Sequence, residues 1–124
     1  MLKENWVFHR GDIYMANLNP FKGSEQGGTR PVVVLQNDMG NFFSPTIIIT
    51  PLTTQTEKKK TLPTHCNIGS AQGLSAPSIA LLEQIKTIDK SRIISYLGKI
   101  SNEQMQQIEK AIQVSLGMIE PATV

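Results

Sequence analysis

Residues 23 to 31 read Gly23-Ser24-Glu25-Gln26-Gly27-Gly28-Thr29-Arg30-Pro31, which puts a carboxylate, an amide and a guanidinium within six residues. Such a set can contact a phosphate, orient it and read a base edge, because the planar guanidinium grips two oxygens at once while the amide donates and accepts. The same stretch also reads as a long hairpin loop whose glycines supply positive φ, and on spacing alone the loop reading is the simpler. Other chemistries are poorly provided for. A zinc site takes about four ligands, whereas His9, His65 and Cys66 are three scattered candidates, so no metal or other cofactor is expected. Nothing resembles a nucleophile elbow, and His65 reads as structural. The glycine-rich stretch lacks the Lys and Ser or Thr that close a phosphate-binding P-loop. Lys58, Lys59 and Lys60 read as a solvated loop, with an anion contact as the alternative.

These residues must be held by strands. Asp12–Leu18 favours a strand, Asn19–Thr29 a loop, and Pro31–Gln36 is a β-branched run. Arg30 precedes a proline and is pushed toward extended geometry, so it opens the second strand and shares a face with Val32, Val34 and Gln36. Asn37–Pro45 reads as a polar connection. Thr46–Thr53 is a further strand, placed at a sheet edge or bent near its end because Pro51 cannot donate to a ladder. Leu62–Ile68, Ile79–Ile88 and Ile94–Ile100 are strand candidates, with a short turn or helix at Asp89–Arg92 before the last. After Ile100 the period changes. Met105, Ile108, Ile112, Leu116 and Ile119 recur at three- and four-residue steps, and Ser101 with Gln104 has the form of a capping box, so a terminal helix is expected.

At 124 residues the chain is the size of one ordinary domain, and 40% apolar with 18% charged residues is globular rather than disordered composition. The net charge of +2 is too small to name an anionic partner. Residues 101 to 124 carry Lys110 against Glu103, Glu109 and Glu120, which leaves +4 on the first hundred, where an anion should be met. A single cysteine excludes an intramolecular disulfide and fits a reducing, cytoplasmic setting. No apolar run approaches the roughly 20 residues of a membrane span, and no signal-peptide core is expected. The fold expected is a small β-barrel or folded sheet closed by a C-terminal helix.

The whole pattern resembles the MazF/PemK family of toxin endoribonucleases. Arg10-Gly11-Asp12-Ile13-Tyr14 is followed by the Gly23–Val32 segment, then Gln36-Asn37-Asp38, Ser44-Pro45-Thr46, Pro51-Leu52-Thr53-Thr54-Gln55, Leu62-Pro63-Thr64-His65 and Leu82–Asp89, in family order from about residue 9 to 119. The resemblance implies one toxin domain over residues 1–124, with an SH3-like, CcdB/PemK-type barrel of about six or seven short strands closed by the helix. It further implies a homodimer, a MazE/PemI-like antitoxin, and metal-independent, sequence-specific cleavage of single-stranded RNA that inhibits translation and growth. The family's catalytic arginine and threonine fall on Arg30 and Thr53. Ser24, Glu25 and Gln26 match the loop beside the scissile phosphate, and Gln84 matches a position near the bases. Glu25 is the nearest candidate base by sequence, Phe21 a surface for unstacked bases, and Gln26 and Gln84 readers of base edges. The competing readings are a CcdB-like poison of DNA gyrase and a non-catalytic RNA-binding barrel.

Overall fold

The computed structural model describes residues 2–54, 62–71 and 73–121, and the three lysines at 58 to 60 lie outside them. Seven strands run β1 (Asp12–Asn17), β2 (Thr29–Val34), β3 (Thr46–Thr54), β4 (His65–Gly69), β5 (Ser78–Leu81), β6 (Lys86–Asp89) and β7 (Ile93–Lys99). Two helices are α1 (Asp38–Phe43) and α2 (Asn102–Ser115). The strands form one antiparallel sheet in the order β4-β5-β3-β2-β1-β7, with β6 also paired to β3. Among the described residues no pairing joins β4 to β7, so hydrogen bonds do not close the barrel.

β2 explains why its run is uninterruptedly apolar. Val33 faces a cluster containing Ile13, Leu52, Leu82, Ile100, Ile108 and Ala111, while Val32 and Val34 face a second containing Tyr14, Ala16, Ile47, Ile49 and Ile88. Helix α2 covers the first cluster and the N-terminal residues Leu2, Trp6 and Phe8 cover the second. Each of the three valines is fully buried, so polar residues have no place in this strand. The capping box forms as expected: Gln104 N donates to Ser101 Oγ (3.1 Å) and Ser101 N to Gln104 Oε1 (3.0 Å). Gln104 Nε2 also reaches Ile68 O (2.9 Å), which ties the start of α2 to β4.

Four expectations need correction. The Asn37–Pro45 connection contains α1, nucleated when Asn37 Oδ1 accepts from Gly40 N (2.8 Å), and six residues are too few to show a helical period. Ile79–Ile88 is two strands, β5 and β6, separated by a 3-10 turn at Leu82–Gln84. Of the two placements offered for β3, the sheet edge is overturned: β2 lies on one side of it and both β5 and β6 on the other. Ile48 O accepts from Leu35 N beside β2, so by alternation the nitrogen of Pro51 faces the opposite edge. There it falls between the β6 pairing, which ends at Ile49, and the β5 pairing, which begins at Leu52, where no donor is required. Finally, α2 stops at Ser115. Gly117 takes φ +74 and Leu116 and Ile119 lie beyond the helix, so its buried face is Met105, Ile108, Ala111 and Ile112.

Candidate active site

The β2–β3 register pairs Val34 with Ile49, Val33 with Thr50 and Val32 with Pro51. That pairing ends two residues short of Arg30 and Thr53. The two residues line one cleft of about 450 Å³ at this end of the sheet, with Met15, Pro31, Leu52 and Leu74 among its other walls. Arg30 is half-buried. Its Nε donates to Gly27 O (2.7 Å) and Nη1 to Leu52 O (3.5 Å), so two of five guanidinium donors anchor it to backbone and the other three remain for a ligand. Among the described residues the carboxylate contacts of basic side chains, Arg10–Glu109 and His65–Glu83, leave Arg30 without a carboxylate. A partly desolvated, uncompensated cation beside a hydroxyl is a site for an anion.

The Asn19–Gly28 loop is built to present this arginine. Leu18 N donates to Gly28 O (3.0 Å) and Gly28 N to Asn19 Oδ1 (2.9 Å), closing the loop at its base where Gly28 takes φ +76. Arg92 Nη1 holds the carbonyl oxygens of Asn17 and Asn19. The Phe21 ring lies on Gly27: a Cβ there would stand 1.8 Å from Phe21 Cδ1, so only glycine admits the ring. The Gly27 carbonyl in turn fixes Arg30.

The remaining sequence candidates separate from this pair. Ser24, Glu25, Gln26 and Gln84 line a second cleft of about 400 Å³ with Glu83 and Lys86. Phe21, 53% exposed, lines neither. Glu25 Oε1 accepts from Lys22 N (2.7 Å), so this carboxylate closes a turn and is not beside Arg30 and Thr53. Gln84 Oε1 accepts from Gln26 N (2.7 Å), and its Nε2 donates to Ser24 O (3.4 Å). Both ends of that amide thus hold the loop backbone. Sequence reasoning missed the walls supplied by Met15, Leu74, Ser75, Ala76 and Ser78, which carry no chemical signal, and it missed Glu83 and Lys86.

His65 is structural, as expected. Its side chain is 3% exposed; Nδ1 accepts from Leu62 N (3.3 Å) and Nε2 lies 3.0 Å from Glu83 Oε2. Thr64 Oγ1 donates to the other Glu83 oxygen (2.9 Å). Cys66 sits in the core, where burial pushes its thiol pKa up. Among the described residues no group of His, Cys, Asp or Glu is arranged to hold a metal ion.

The model of the PemK-like, MazF-like toxins of type II toxin-antitoxin systems matches residues 9–116. The chain is 48% identical over 115 residues to endoribonuclease EndoA of Bacillus subtilis, which spans 92% of this chain and 98% of that protein. It is 46% identical over 113 residues to endoribonuclease MazF of Staphylococcus saprophyticus, covering 90% and 93%. At the level of fold it superposes on MazF of Deinococcus radiodurans with a TM-score of 0.78 at 24% identity, covering 91% and 99% of the two chains. A mycobacterial endoribonuclease solved with its cognate antitoxin gives 0.75 at 24% identity, covering 93% and 100%. With nearly the whole chain matched by family model and relatives alike, this protein belongs to the PemK-like, MazF-like toxins of type II toxin-antitoxin systems.

Proposed function

We propose that residues 1–124 form one toxin domain that cleaves single-stranded RNA at short recognition sequences in the cytoplasm, halting translation until a MazE/PemI-like antitoxin blocks the site. The observation that carries this reading is the Arg30 guanidinium, without a carboxylate among the described residues, in one cleft with Thr53. In the reaction the ribose 2′-oxygen bonds to the adjacent phosphorus, the bond from phosphorus to the 5′-oxygen breaks, and a 2′,3′-cyclic phosphate and a 5′-hydroxyl result. One proton leaves the 2′-hydroxyl and one reaches the departing 5′-oxygen. Negative charge grows on the nonbridging oxygens, where the free Arg30 donors meet it and the Thr53 hydroxyl adds one more hydrogen bond. Arg30 does not act as the base, since a guanidinium keeps its proton and can only donate. Glu25, bound to Lys22 N, positions the loop in the conformation described and is not assigned the base either.

The chain's purified form should cut a short unstructured RNA in EDTA and leave 5′-hydroxyl ends. Arg30→Ala should lower kcat at least about a hundred-fold, the scale for losing one oxyanion donor; equal rates would remove Arg30 from the chemistry. A gyrase-poisoning toxin of the same fold would leave the RNA whole. The functional unit proposed is a homodimer, so the protein should elute at twice its 13.7 kDa at micromolar concentration, and a monomeric elution would reject that assembly.

A further inference from the structure

One wall of the Arg30–Thr53 cleft comes from the connection between β4 and β5, through Leu74, Ser75 and Ala76, with Ser78 at the head of β5. It is fixed at both ends. Gly73 takes φ +84 against β7, and a Cβ there would stand 2.0 Å from Leu97 O and 2.6 Å from the Leu97 carbonyl carbon. Backbone cannot yield to such a clash, so only glycine lets the connection approach β7 this closely. Leu74 packs against the cluster under α2 and its N–H reaches Ala71 O (3.0 Å). At the other end Ser78 Oγ donates to Ala76 O (3.0 Å). Ser75 stands between these anchors, exposed and on the cleft.

The wall residues are small or apolar and none is charged, unlike Arg30 across the cleft. Such a surface does not suit a second phosphate. A hydroxyl that both donates and accepts, set among apolar groups on a fixed backbone, suits the base edge of one nucleoside. We propose that Ser75 is a specificity-determining residue, contacting the nucleoside next to the scissile phosphate, and that Gly73 is the positioning residue that holds it there. The proposal rests on the endoribonuclease reading above.

The test is to digest a pool of randomised RNA with wild type, Ser75→Ala and Ser75→Leu and to sequence the new ends. Ser75→Ala should relax the base preference at one position adjoining the cut. Ser75→Leu should fill that space, lowering kcat/KM at the wild-type sequence about ten-fold or more and moving the preference at the same position. Gly73→Ala should broaden that position too; if it does not fold, the two Ser75 variants, altered at an exposed site, still decide. A structural role alone would scale all sequences equally. Base preferences identical to wild type in both Ser75 variants would overturn the proposal while leaving the endoribonuclease reading intact. A wild-type protein that cuts no RNA would overturn both.

Discussion

Arg30 and Gln84, which line different clefts, show how differently two polar side chains are employed. Arg30 spends two donors on Gly27 O and Leu52 O and keeps the rest, whereas both ends of the Gln84 amide go to the Ser24–Gln26 backbone. Gln84 therefore holds the loop. Gln84→Ala should unpin it and reduce RNA cleavage, while Gln84→Glu keeps the oxygen that accepts from Gln26 N and loses only the longer bond to Ser24 O. Steady-state rates on one RNA should rank wild type above Glu and Glu above Ala; an unchanged Ala variant would mean that the loop holds its shape without the amide. Arg30 was legible as a site candidate because its type announces the chemistry, whereas Thr53 was named through the family resemblance. The engagement of Gln84 was not legible, since its partners lie 58 and 60 residues away in sequence.

At the level of elements, the loop between β1 and β2 is a stack: the Phe21 ring on Gly27, the Gly27 carbonyl on Arg30 Nε. Gly27→Ala should displace Phe21 and, through the same backbone, loosen Arg30. The melting temperature should fall little, because Phe21 is half exposed and outside both core clusters, while cleavage should drop about ten-fold or more from a misplaced donor. The double variant Gly27→Ala with Phe21→Ala removes the clash and should recover part of that loss. No recovery would separate Phe21 from the positioning of Arg30. The glycines of this loop stand out in the sequence as turn formers, yet Gly27 is needed for a close contact with an aromatic ring, which spacing does not disclose.

Across the whole molecule, the two faces of the sheet are closed by different ends of the chain, and the N-terminal closure carries a polar chain into the core. Trp6 Nε1 donates to Tyr14 Oη (2.8 Å), Tyr14 Oη donates to Asp12 Oδ2 (2.6 Å), and His9 N donates to the same oxygen (2.8 Å). Burial of Tyr14, reinforced by the Asp12 carboxylate, raises its pKa far above the ordinary tyrosine value near 10. A raised pKa makes the neutral phenol part of folded stability, fully present below pH 10 and lost as pH rises beyond it. Unfolding free energy should therefore fall by about 1.4 kcal/mol per pH unit above pH 10 from this group. Urea titrations from pH 9 to 11 measure it. Tyr14→Phe should remove this group's share of the slope at a baseline loss of about 1–3 kcal/mol, since the Trp6 donor is then left without its acceptor; an unaltered slope would clear Tyr14 of that role.

The sequence by itself determined the local features. The β-branched runs, the proline that extends Arg30 and the reciprocal Ser101–Gln104 cap act over a few residues, so strands, loop and terminal helix could be read directly, and the ordered motifs identified the family. Tertiary structure decided what depends on partners far along the chain. It made β3 central by letting Pro51 fall where its neighbours change from β6 to β5, and it folded Asn37–Ser44 around a side-chain cap. It also divided the candidate residues, placing Arg30 with Thr53 in one cleft and leaving Ser24, Glu25, Gln26 and Gln84 in another. The reason is geometric: residue type sets what a side chain can do, but hydrogen-bond register and packing across the sheet set what it faces.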